Sequence, residues 1–361
     1  MDLSQFIENL LAVIATILNG IPQGLLSLSI GFASVPTGLA FLVGAAACGI
    51  TGSVVPVSFQ AETIVLAGQV GKEKRERISM IIFAAVLTLV LGLTGAMSWL
   101  MDFSGTTILN AMMAGVGFML ARVSLEYTKT NRLVTISSIA TALVVYFFFT
   151  TDLVWIVIVS MFVSTIISHL AKQRINAQIA EEKPWSLKLV KPQFNLRILR
   201  GALALACMTI GGNIAYGSVT ASMTNHELLV DELTVYSGLA DVVSSMFGGM
   251  SLEAIISATA TAPNPVFAAV AFQVIMGLIL LFGLLPKIGK FVPGESIAGF
   301  LFVLGSFVAL PGNAQVAFNG TEPGAPIIAA TTLVVTAAFD PFTGIVAGIV
   351  IRALFGLGFG M

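Results

Sequence analysis

The chain has 361 residues, of which 57% are hydrophobic and only 10% charged, with a net charge of -1. A soluble domain carries about 25% charged residues, so this composition cannot cover a water-facing surface and excludes a soluble globular fold. The near-neutral balance, with no basic stripe, argues against a nucleic-acid partner.

The first 20 residues hold Asp2 and Glu8 but no Lys or Arg, the wrong flank for a signal peptide, and none is expected. A helix needs about 20 apolar residues to cross a bilayer. Apolar segments predict spans over 9–29, 33–53, 57–70, 78–101, 104–125, 131–150 and 152–171. The polar stretch Lys172 to Arg200 follows, interrupted by Pro184 and Pro192, and reads as an aqueous linker. Spans resume over 201–222, 232–248, 251–263, 265–285, 294–311, 324–339 and 341–360. Segments 57–70 and 251–263 are too short to cross alone. Cys48 and Cys207 fall inside apolar runs and read as packing residues, not as a disulfide or metal pair. The 35 glycines suit helices that approach closely in lipid.

Sliding the chain by 193 residues aligns its halves. Thr16, Ile17, Ile21 and Gly24 fall on Thr209, Ile210, Ile214 and Gly217; Ala47 falls on Ala240; Ser58 and Ala61 fall on Ser251 and Ala254. A repeat of seven spans is odd, so the second copy must be inserted upside down, the design of many secondary transporters. The expected fold is an all-α polytopic membrane protein of 14 transmembrane segments. Two inverted seven-span repeats, 1–171 and 201–361, flank the polar linker 172–200.

Under that shift the two short segments coincide. Each begins with β-branched, Pro or Gly residues and then turns helical, which predicts extended backbone leading into a half-helix at spans 3 and 10. Broken backbone survives at membrane depth only where protein or a watery cavity satisfies it, and half-helix N-termini there make a polar site. Glu253 is expected in the first turn of the second half-helix, as a substrate ligand or proton carrier, with Gln60 as its repeat partner. Glu62 and Asp241 are further candidates for ion coupling. Gln23, expected to point inward where Pro22 breaks the first span, joins Phe59, Gln60, Asn213, Tyr216 and Ser251 as candidate substrate contacts, Phe59 by stacking on a flat ligand. No metal-spaced His/Asp/Glu set and no nucleophile elbow is present, so neither an enzyme nor a metal site is expected.

The run Gly238-Leu239-Ala240-Asp241-Val242-Val243-Ser244-Ser245-Met246-Phe247-Gly248-Gly249, followed by Glu253, resembles the xanthine/uracil permease family of nucleobase–cation symporters. Lys287-Ile288-Gly289-Lys290 with Pro293 and Ala298-Gly299 adds to the likeness. The resemblance implies a core domain from spans 1–4 and 8–11 and a gate domain from spans 5–7 and 12–14. It further implies symport of a purine or pyrimidine with a proton or sodium ion, alternating access, no other cofactor, and a homodimer through the gate. Where that family carries an eighth-span glutamate, this chain has Gly212-Asn213. Sulfate permeases share the fold and are the alternative: Leu10 to Gln23 resembles their first span, and such a protein would carry sulfate or bicarbonate.

Loops after odd spans hold Lys72, Lys74, Arg75, Arg77, Lys129, Arg132, the linker, Lys287 and Lys290, whereas loops after even spans hold Asp102, Asp152, Glu227, Asp231, Glu232 and Glu322. The positive-inside rule places the odd loops, and the 172–200 linker, in the cytoplasm of a cell whose inner membrane carries the protein.

Overall fold

The structure, a computed structural model, describes residues 3–151, 153–172, 187–224, 226, 228–289 and 291–357. Linker residues 173–186, Asp152, Glu227 and Lys290 lie outside the described residues. In chain order the elements are α1 (Leu3–Ser29), α2 (Ser34–Thr51), β1 (Val57–Ser58), α3 (Ala61–Val70), α4 (Lys74–Leu93), α5 (Ala96–Glu126), α6 (Arg132–Phe148) and α7 (Leu153–Leu170). After the linker come α8 (Leu196–Ser222), α9 (Val230–Ser245), β2 (Glu253–Ala254), α10 (Pro265–Leu281), α11 (Leu284–Gly289), α12 (Ala298–Val303), α13 (Leu310–Phe318), α14 (Ala325–Ala338) and α15 (Pro341–Gly356). Between α12 and α13 the chain stays helical as a π turn, Leu304–Ala309.

Leu3–Ser29, Ser34–Thr51, Lys74–Leu93, Asp102–Lys129 and Gly294–Phe318 are long and apolar enough to cross a bilayer, and the shorter helices include six more apolar ones. Phe147, Phe148, Trp155 and Phe162 stand exposed on their helices. Such rings would be an aggregation hazard in water and are at home against lipid. The protein is a multi-pass integral membrane protein, mostly helical.

Two compact units divide the chain. The first comprises Met1–Met97, Lys172–Ala202 and Gly212–Gly294; the second comprises Ser98–Ala171, Leu203–Gly211 and Glu295–Met361. In the first, α2 packs on α10 and α9, α4 on α9, and α1 on α10. The α2–α10 contact is backbone against backbone: a Cβ on Gly38 would stand 2.9 Å from the Gly277 carbonyl. Only glycine permits that approach, as in other closely packed membrane helices.

In the second unit, helix starts are fixed by caps. Asn131 Oδ1 accepts the Val134 N–H at 3.3 Å to open α6, and Asp340 Oδ1 accepts the Thr343 N–H at 2.8 Å to open α15, with Pro341 at its first position. These bonds satisfy otherwise orphaned helix-end donors. Within α5, Gly105 leaves helical geometry at φ 74°, and Arg352 closes the break by donating to the carbonyls of Ser104 and Phe103.

Two expectations from the sequence need correction. Pro22 does not break the first span; α1 runs through it without interruption. The second short segment is not a half-helix. Glu253 lies in strand β2, and only a single 3-10 turn, Ala258–Thr261, follows. The reason is local: Ile255 and Ile256 are β-branched and favour extended backbone, Ser257 turns the chain by taking the Thr259 N–H, and Pro263 and Pro265 hold Ala262 and Asn264 out of helical geometry, so that helix resumes only at Pro265, the first residue of α10. The first short segment is as expected, with extended Val54 to Ser58 leading into α3.

Candidate functional site

The two interrupted segments meet each other. β1 and β2 pair antiparallel, Val57 opposite Ala254 and Ser58 opposite Glu253. Two residues per strand cannot satisfy this much buried backbone, and side chains from neighbouring helices complete it. Asn213 on α8 accepts the Ala254 N–H through Oδ1 at 3.0 Å and donates Nδ2 to Ser237 on α9, also at 3.0 Å. Thr220 Oγ1 donates to the Ile255 carbonyl at 2.7 Å and accepts the Ser257 N–H at 3.3 Å. The Gln60 amide donates to the Ala254 carbonyl. Asp241 Oδ1 accepts the Leu252 N–H. On the far side, Gln273 Oε1 accepts the Val57 N–H at 3.3 Å. Every buried backbone group lacking such a partner would cost several kcal/mol in hydrocarbon.

Around this ladder stand three buried carboxyl groups, Glu62, Asp241 and Glu253. Glu253 Oε1 accepts the Thr63 hydroxyl at 2.6 Å. Its Oε2 lies over Gly212 of α8, where a Cβ would come within 2.9 Å. Glu62, in the first turn of α3, accepts the Tyr216 hydroxyl through Oε1 at 2.8 Å. Its other oxygen, Oε2, is buried and has no partner among the described residues. Gln23 Oε1, Asn19 Oδ1 and the Ser251 hydroxyl are buried and unpartnered likewise.

No Lys or Arg occurs in residues 1–71 or 201–286, the stretches that build this ladder and its carboxylates. These stretches therefore supply hydrogen-bond acceptors and no basic side chain, and the site is negative wherever its carboxyl groups are ionised. It can hold a cation or proton outright, or a ligand presenting N–H or O–H donors. It can hold an anion only with its own charge first offset.

The structure thus brings Gln60, Glu62, Asn213, Tyr216, Asp241, Ser251 and Glu253 to one strand pair, with different duties from those the sequence suggested. Asn213 gives its amide oxygen, and Gln60 its amide nitrogen, to the β2 backbone. Phe59 is a core residue, 1% exposed, edge-on to Phe41 with ring centroids 5.3 Å apart and lying against Gly24 of α1. Gln23 is buried on α1, its amide nitrogen 3.5 Å from the Asn19 carbonyl. Thr63 and Asn19 escaped the sequence reading. The spacing of Asn19 and Gln23, four apart in an apolar helix and so on one face, was the signal available for Asn19; Thr63 gave none beyond its place beside Glu62.

No family model matches the chain, and no curated protein matches it. Solved structures do. The transmembrane domain of a cyanobacterium bicarbonate transporter, BicA, superposes with a TM-score of 0.71 at 16% identity, covering 95% of this chain and 98% of that one. The murine Solute Carrier 26 family member A9 anion transporter, in its inward-facing state, gives 0.68 at 13% identity over 98% of this chain and 68% of its own. A second structure of SLC26A9 gives 0.57 at 14% identity, over 95% and 66%. The chain shares their fold from end to end. None of the three is a nucleobase permease, so they lend no support to the xanthine/uracil resemblance beyond a common architecture.

Proposed function

We propose that this protein is a secondary active transporter that moves a small inorganic anion of the bicarbonate or sulfate kind together with a cation, by alternating access. In this reading the first unit is the core that carries the site, the second is the gate, and the protein is a carrier with no covalent chemistry. Dimerisation through the gate belongs to the same reading. The anion class is supported by whole-chain likeness to anion transporters. The observation that carries the coupling is the set of three buried carboxyl groups in stretches free of Lys and Arg. An anion entering beside them unaccompanied would meet strong repulsion in a low-dielectric site. Cation binding removes that repulsion, which makes symport the natural mode.

One observation favours a second reading, nucleobase–cation symport. Carboxylate, amide and hydroxyl oxygens without donors at Glu62, Gln23 and Ser251 complement the N–H edge of a purine or pyrimidine.

Uptake into proteoliposomes distinguishes the two. Labelled bicarbonate, sulfate, uracil and xanthine are offered with an inward sodium gradient, an inward proton gradient, or neither. Gradient-driven accumulation of bicarbonate or sulfate is expected. Accumulation of a base alone transfers the assignment to the second reading, and accumulation of none of the four overturns both.

A further inference from the structure

The three buried carboxyl groups are not equivalent in their surroundings. Asp241 is committed to the Leu252 N–H. Glu253 is held by the Thr63 hydroxyl and by its seat on Gly212, so its side chain braces β2 against α3 and α8. Glu62 differs: one oxygen accepts the Tyr216 hydroxyl, and the other is buried with no partner among the described residues. A buried carboxylate oxygen without a donor is expensive and marks a position where something else belongs. Tyr216, which holds the tied oxygen, is only half-buried and sits one helical turn beyond Gly212.

We propose that Glu62 is the group that binds and releases the coupling monovalent cation, proton or sodium, and that the Tyr216 hydroxyl is a latch sensitive to its occupancy. This rests on the carrier reading, because only a carrier requires a cation that comes and goes. With Glu62 ionised, the Tyr216 bond is charge-assisted and ties α8 to α3; with a cation on Glu62 the acceptor is neutralised and the bond falls to roughly half its strength. Cation binding thereby loosens α8 from α3 at the edge of the strand pair. Glu253 on this account is a positioning residue, holding β2 in register while Glu62 loads and unloads.

The test uses purified full-length protein and no substrate, so its outcome is independent of which solute is carried. Thermal unfolding in detergent is followed with sodium chloride against choline chloride at fixed pH, and with pH stepped in the absence of sodium. The wild type is expected to gain Tm with one of the two cations. Glu62→Gln, which keeps an acceptor for Tyr216 but no charge, is expected to abolish that gain, while Glu253→Gln lowers the baseline and keeps it. Tyr216→Phe removes the competitor for Glu62 and is expected to bring the cation midpoint down about tenfold, the size of one hydrogen bond to a charged group. A wild type indifferent to both cations overturns the proposal, as does a cation gain that survives Glu62→Gln or vanishes in Glu253→Gln. If Glu62→Gln does not fold, an unmoved midpoint in Tyr216→Phe overturns it, and the tenfold shift supports it.

Discussion

Asn213 on α8 and Ala254 on β2 are joined by one bond, 3.0 Å from the Ala254 N–H to Asn213 Oδ1, and that bond fixes where Glu253 lies. Residues 253 and 254 share a two-residue strand, so anchoring one orients the other. Asn213 is itself anchored through Ser237, which carries the connection on to α9. What reads in the sequence as a ligand for substrate is in the structure a fastening for the backbone beside it.

Asn213→Ala leaves the Ala254 N–H buried without an acceptor. A stability loss of about 1–3 kcal/mol is expected, read as a fall in Tm in detergent. A variant as stable as the wild type would show that the backbone finds another partner.

Thr63→Val removes the donor to Glu253 at constant shape. A charged acceptor deprived of its bond loses about 1.5–3 kcal/mol. Thr63→Ser, which keeps the hydroxyl, should restore most of it. Equal loss in both variants would assign the effect to the methyl group and not to the hydrogen bond.

Gly212→Ala places a methyl group within 2.9 Å of Glu253 Oε2. The carboxylate must move. Gradient-driven uptake in proteoliposomes should drop at least tenfold while the protein still folds and elutes as the wild type does in size-exclusion chromatography. Unimpaired uptake would remove Glu253 from the transport cycle.

Phe59→Ala empties a closed aromatic contact with Phe41. Truncating a buried Phe costs about 3–5 kcal/mol, so Tm should fall sharply. Phe59→Leu should recover most of the stability and carry substrate with a KM close to that of the wild type. A large rise in KM with little loss of Tm would restore Phe59 to the substrate's side.

Much of the helical architecture is legible in the sequence because lipid imposes a simple demand: long apolar runs, ended by charge or by Pro and Gly. The predicted spans 131–150, 152–171 and 324–339 coincide with α6, α7 and α14 to within two residues at each end. The interruption at 54–58 was legible too, since Val, Pro and Val in a row resist helix. The second interruption was misread because Ser251 to Ala262 carries helix-compatible residues such as Leu252, Glu253 and Ala254 alongside the β-branched ones. Its conformation is decided by Asn213 and Thr220, some 40 residues earlier in the chain, which take the backbone bonds a helix would have made internally. Glu253 and Glu62 were findable as costly charges at depth. Their inequality was not, because it depends on which hydroxyl reaches which oxygen.

The strand pair also sets a timetable for biosynthesis. β1 is made about 195 residues before its partner β2, so at 5–20 residues per second the nascent chain waits roughly 10–40 s for it. Through that interval Val57 and Ser58 carry strand-edge groups with no strand to pair with, in a segment destined for the membrane interior. Lodging in a watery insertion channel, or delaying full entry of the 57–70 segment into lipid, would shelter them until the second half of the chain arrives.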